Sequence, residues 1–93
     1  MIGDRLKELR EKNGLLQREV GAALNIDAAL VSKMESGAKF VSRDYLSTLS
    51  NLFHIDEREL EIEWLASKII RQFQNEPLAE LALGKALNQI TQN

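Results

Sequence analysis

Gln17-Arg18-Glu19-Val20-Gly21-Ala22-Ala23-Leu24-Asn25-Ile26-Asp27-Ala28-Ala29-Leu30-Val31-Ser32-Lys33-Met34-Glu35-Ser36-Gly37 is the stretch that decides the fold of this 93-residue chain. Leu16, Val20 and Leu24 keep helical spacing and stop at Asn25, a residue able to take the left-handed conformation that reverses a chain. Asp27 can then cap a second segment, in which Leu30 or Val31 with Met34 supplies the buried side and Gly37 closes the helix. Each helix is only about two turns long. Two such helices joined by Asn25-Ile26-Asp27 have the proportions of a helix-turn-helix, where the first helix braces the second against a duplex.

Working outward, Ile2, Leu6 and Leu9 form one helical face upstream, and the pattern ends at Asn13-Gly14, a C-terminal signal. Downstream of a loop from Ala38 to Val41, Ser42 can cap a fourth helix carrying Tyr45, Leu46, Leu49 and Phe53. Asp56 and Glu59 have the spacing of a capping-box variant, opening a fifth segment that runs through Trp64 toward Gln74. Its apolar residues cover more than one face, which predicts contacts on two sides. Pro77 interrupts, and Leu78 to Ile90 resumes with Ala79, Ala82, Leu83, Ala86 and Ile90 on one stripe. No stretch alternates with the period of a strand, so the expected fold class is all-α.

Composition narrows the function classes. The chain is long enough for one domain and a short appendage. It has no run of about 18 apolar residues to span a bilayer and no apolar core of a signal peptide at its start, so a cytoplasmic protein with no membrane contact is expected. Without cysteine there is no disulfide or thiolate site, and the single histidine, His54, lacks partners for zinc. No metal, no cofactor and no enzyme activity are expected, because nothing supplies a clustered nucleophile, base and acid. The formal net charge is −2, but the segment through Tyr45 carries 8 basic against 7 acidic residues and the remainder 4 against 7. A DNA-facing surface must therefore be local.

Three blocks resemble a known family. Leu6-Lys7-Glu8-Leu9-Arg10, Gly14-Leu15-Leu16-Gln17-Arg18-Glu19-Val20 and Leu30-Val31-Ser32-Lys33-Met34-Glu35-Ser36-Gly37 are similar to the phage-repressor and Cro-like helix-turn-helix regulators of the XRE family, over roughly residues 2 to 60. The resemblance implies a five-helix repressor-like domain over residues 1–60, followed by a C-terminal helical extension over 61–93. It also implies double-stranded DNA as partner, with Gln17 directed at a phosphate and Ala28, Ala29, Ser32 and Lys33 presented to base edges. Lys39, Ser42 and Arg43 would grip the backbone, and Arg10 with Glu35 would pair to tie the first helix to the third. Lysine can donate to guanine O6 or N7 and serine to several bases, whereas alanine can only touch a thymine methyl. Three positions depart from the family pattern: Leu16 where a threonine or serine cap is common, Gly21 for an alanine, and Val41 for a frequent proline. Leu16 would offset its lost cap only by packing as a hydrophobic staple.

The extension's apolar content needs a partner. Trp64, Ile69, Ile70, Phe73, Leu83 and Leu87 are the candidates for pairing with a second copy, which would let two weak half-site contacts act together on a two-fold operator. The expected function is a sequence-specific DNA-binding transcriptional regulator, as a repressor homodimer. The alternative is an antitoxin or a restriction-modification controller whose C-terminal helices bind a toxin or another protein.

Overall fold

Each apolar pattern becomes a helix in the computed structural model, which describes residues 1–92. In chain order these are α1 (Ile2–Lys12), α2 (Gln17–Leu24), α3 (Ala28–Ser36), α4 (Leu46–Leu52), α5 (Glu57–Phe73) and α6 (Ala79–Thr91), with a single 3₁₀ turn at Arg43–Tyr45 before α4. No strand occurs among the described residues, and no described helix is long and apolar enough to cross a membrane.

The first five helices share one core. Ile2, Leu6 and Leu9 face inward from α1, Val20 and Leu24 from α2, Val31 and Met34 from α3, Leu46 and Leu49 from α4, and Leu60 and Trp64 from α5, with Val41 and Phe53 from the connections. Burying an aliphatic side chain of this size is worth about 1.5–3 kcal/mol, so this set carries the fold. Where helices approach most closely the sequence has removed side chains. A Cβ on Gly3 would stand 2.5 Å from the Met34 carbonyl oxygen, so α1 lies directly on the end of α3. A Cβ on Gly21 would stand 2.6 Å from the Ile26 carbonyl oxygen, which explains why glycine replaces alanine there: the turn between α2 and α3 folds down onto it.

The reversals follow from local chemistry. Asn25 ends α2 with φ 60° and Gly37 ends α3 with φ 85°, both left-handed. Asp27 caps α3 by accepting from the Leu30 amide at 2.8 Å. His54, at φ 55°, turns the chain after α4.

Four expectations change. Ser42 does not cap a helix through its side chain; its carbonyl accepts from the Tyr45 amide at 3.1 Å, so the fourth helix begins with the tighter 3₁₀ turn common at helix starts. The Asp56 carboxylate accepts from the Arg58 amide at 2.9 Å, but Glu59 does not complete a capping box and lies 3.4 Å from Arg5. Leu16 is no staple, being 49% exposed. Half of a capping box forms instead, the Glu19 carboxylate accepting from the Leu16 amide at 2.8 Å, because a leucine side chain has no acceptor to return. Finally, a boundary after residue 60 falls inside α5, whose Trp64 and Ser67 are buried with the N-terminal helices.

Polar contacts clamp α5 to α1. The Ile2 amide donates to buried Ser67 Oγ at 2.7 Å, and Arg5 lies 3.1 Å from Glu63 and 3.0 Å from Glu8. Burial pulls the Arg5 pKa down, but the attraction of Glu63 and the hydrogen bonds to it, with Glu8 and Glu59, leave it raised. α6 is different: it buries no residue, and Leu81, Leu87 and Ile90 are exposed along it, as is Leu78 just before it. The radius of gyration, 15.1 Å, exceeds the roughly 12 Å of a compact domain of this length because the chain is drawn out along one axis.

Candidate nucleic-acid interface

The end of α3 is held before anything is presented on it. The Arg10 guanidinium reaches across from α1 with its Nε 2.7 Å from one Glu35 oxygen and a terminal nitrogen 3.2 Å from the other, while its remaining nitrogen donates to the Leu15 carbonyl at 2.9 Å. The side chains are 12% and 5% exposed, so the expected ion pair between helices one and three is largely buried, Glu35 fully and Arg10 in part. The hydrogen bond to Glu35 outweighs burial and holds the Arg10 pKa above its usual range. Gln17 joins the same carboxylate, its amide donating to Glu35 at 3.0 Å. In the free chain, then, the first residue of α2 is bound to α3 rather than turned wholly outward. A phosphate seeking that amide must share it with Glu35.

With Val31, Met34 and Glu35 buried, α3 exposes Ala29, Ser32 and Lys33, and Ala28 is half-buried. Ser36 is exposed too, but its hydroxyl donates to the Lys33 carbonyl at 3.1 Å, which leaves Ser32 and cationic Lys33 as the exposed hydrogen-bonding side chains free to address base edges. Beyond Gly37 the Lys39 amide donates back to the Lys33 carbonyl at 3.1 Å, which brings these two exposed lysines' backbones together at the end of the helix.

Trp64 of α5 fixes the loop that follows. Its indole Nε1 donates to the Val41 carbonyl at 2.7 Å, and its ring meets Phe40 with centroids 5.6 Å apart. A bond from ring to carbonyl accounts for the buried polar edge of a residue that is only 6% exposed. Trp64 is thus occupied within its own chain and has little surface to offer a second one. The other expected pairing residues are freer: Ile69, Ile70 and Leu87 are exposed, Phe73 and Leu83 half-buried.

Ser42 is exposed beside this anchored loop. Arg43 is held in place by neighbours, its guanidinium 5.3 Å above the Trp64 ring and 3.0 Å from Glu61. An exposed ion pair contributes about 0–1 kcal/mol, so Glu61 restrains the Arg43 guanidinium only weakly. Two cations that sequence reading did not single out stand beside it: Lys68 with its ammonium 5.1 Å from the Trp64 ring, and Arg71 with its guanidinium 5.3 Å from Phe40. The first was open to detection, since Trp64 and Lys68 are one helical turn apart. The second was not, because Phe40 and Arg71 meet only through the tertiary fold.

The structure thus groups the expected residues in two sets, one on α3 with Gln17 joined to it through Glu35, and one on the loop beneath Trp64. Comparison with known proteins agrees with this architecture. The family described as "Helix-turn-helix domain" matches residues 2–62, which span α1 to the first turns of α5. No curated protein and no solved structure matches the chain. A match over well over half of the sequence, laid on two short helices packed at a left-handed turn, means that the chain belongs to the helix-turn-helix domain family.

Proposed function

We propose that this protein is a sequence-specific DNA-binding transcriptional regulator of the phage-repressor and Cro-like (XRE) type, a cytoplasmic repressor acting as a homodimer on a two-fold operator. The observation that carries the reading is the exposed face of α3, where Ser32 and Lys33 stand clear of the core while the opposite face is locked by Val31, Met34 and the Arg10–Glu35 pair. In the proposed complex α3 enters the major groove, Lys33 donates to a base edge, and Ala28 and Ala29 rest against thymine methyls. Gln17, Lys39, Ser42 and Arg43 hold phosphates on either side. The protein acts by binding rather than by catalysis.

The homodimer is supported by α6. A 13-residue helix none of whose residues is fully buried in its own domain is marginal in water, and its exposed leucines and isoleucine need cover. A second copy provides it, pairing Ile69, Ile70, Phe73, Leu83 and Leu87 across a two-fold axis. The same uncovered helix would suit an antitoxin or a restriction-modification controller offering it to a different protein. Sedimentation of the purified chain alone separates the two, since only self-pairing gives a dimer without a partner.

The function is tested by selecting binding sites from random duplexes with wild-type, Lys33→Ala and Arg43→Ala proteins. Loss of a base contact should cost about 1–3 kcal/mol and flatten one pair of symmetry-related positions, whereas loss of a phosphate contact should weaken all sequences alike. A wild-type protein that enriches no sequence refutes the reading.

A further inference from the structure

We infer that Lys68 and Arg71 of α5 form a second phosphate grip, continuous with the loop after α3, which carries the DNA contact beyond the helix-turn-helix. The inference rests on the DNA-binding reading and adds to it a surface and two residues outside the matched region, residues 2–62.

The charge distribution along α5 is the first observation. Glu57, Glu59, Glu61 and Glu63 fill its first half, but from Trp64 to Asn75 there is no acidic residue and the charges are Lys68 and Arg71. Three of these four glutamates are engaged with other groups, Glu59 and Glu63 with Arg5 and Glu61 with Arg43. Among the described residues no carboxylate lies within ion-pair distance of Lys68 or Arg71, although the chain as a whole carries more acid than base.

The second observation is how these cations are held. Phe40 and Trp64 form a tilted ring pair, and three cations stand 5.1–5.3 Å from its rings: Arg43 and Lys68 at Trp64, Arg71 at Phe40. Lys39 and Arg71 also line one cleft together with Phe40 and Gln74. Of the two carboxylates on that cleft, Glu35 is occupied by Arg10 and Gln17, and Asp4 lies 3.7 Å from the amino group of Met1. Ring contact leaves the N–H groups of a cation able to donate, so Arg43, Lys68 and Arg71 are held as one basic surface, which Lys39, on the same cleft as Arg71, continues to the end of α3. Evenly spaced anions with little demand for shape are what such a surface fits, and the phosphodiester backbone leaving the groove read by α3 is that ligand.

The test measures affinity against salt for a duplex carrying the site selected by the wild-type protein and for a scrambled duplex. Lys68→Gln/Arg71→Gln should lower the magnitude of the log–log salt slope by about 1.8 per protomer, at roughly 0.9 per phosphate released. The wild type's advantage over this variant then shrinks by about 12-fold per protomer, or about 150-fold for a bound dimer, between about 50 and 200 mM salt, equally on both duplexes. The charge-keeping Lys68→Arg/Arg71→Lys should retain the wild-type slope. Arg58→Gln/Lys85→Gln, which removes the same charge elsewhere, should change it by much less. Thermal melts of all variants, followed by circular dichroism, separate lost contact from lost fold. An unchanged slope in a folded Lys68→Gln/Arg71→Gln protein overturns the inference, as does an equal loss in Arg58→Gln/Lys85→Gln. Should the wild type bind neither duplex, the DNA-binding reading fails and the inference falls with it, whereas an unchanged variant slope where the wild type does bind sinks the inference alone.

Discussion

Replacing Glu35 with alanine removes the one carboxylate that three donors share: Arg10 Nε at 2.7 Å, an Arg10 terminal nitrogen at 3.2 Å and the Gln17 amide at 3.0 Å. Arg10 keeps the Leu15 carbonyl at 2.9 Å, and its nearest remaining carboxylate is Glu11 at 4.0 Å. With only 12% of its side chain exposed, the guanidinium has little access to water to replace what it loses. Breaking one side of such a buried pair costs about 3–5 kcal/mol, a large part of the roughly 5–15 kcal/mol that holds a small domain folded. With a urea m-value of about 2 kcal/mol/M, the midpoint should fall by about 1.5–2.5 M, measured by far-ultraviolet circular dichroism and by the fluorescence of Trp64. Arg10→Met/Glu35→Leu should recover most of the loss, because removing both charges strands neither. A raised cationic pKa gives stability that is complete below the unfolded-state pKa and lost only as pH climbs through the folded-state value, beyond the ordinary arginine range. Raising the pH from neutrality to about 10 should therefore leave the Arg10 contribution intact. If Glu35→Ala moved the midpoint by less than about 0.5 M urea, the pair would be solvated and the argument from burial refuted.

Three other outcomes follow from particular contacts. Ending the chain after Asn75 should leave the core folded but shift sedimentation from dimer to monomer and weaken binding to a two-fold site; a truncated chain that stays dimeric would move the interface away from α6. Gly21→Ala should destabilise by about 1–3 kcal/mol in urea titration despite alanine's higher helix propensity, because its Cβ meets the Ile26 carbonyl oxygen at 2.6 Å; a gain in stability would mean that the turn gives way. Trp64→Phe keeps an aromatic but smaller ring and leaves the Val41 carbonyl without its 2.7 Å donor, so thermal melts should show a loss of about 1 kcal/mol or more.

The helices were legible because their signals are local. Asp27, Asn25 and Gly37 each act within a few residues of themselves, and a short apolar repeat needs no knowledge of its neighbours to declare a face. Tertiary assignments were not legible in the same way. Trp64 reads as an apolar residue on a two-sided helix, and nothing nearby in sequence reveals that its indole belongs to Val41, 23 positions earlier. Gln17 reads as a free amide at a helix start until the fold brings Glu35 to it from 18 positions away. The Arg10–Glu35 pair lies just as far beyond local reading, at 25 positions, and was foreseen only through the family resemblance.

The continuity of α5 has a geometric consequence. Its 17 residues form one rod about 25 Å long, with Leu60, Trp64 and Ser67 fixed in the core and Ile69, Ile70 and Phe73 projecting past it. In the proposed dimer such a rod acts as a ruler: it fixes both the separation and the rotational phase of the two reading heads. One residue inserted after Ser67 would turn the projecting face by about 100° and swing one half of the assembly around the other. The operator should accordingly tolerate a change in the identity of the bases between its half-sites far better than a change in their number.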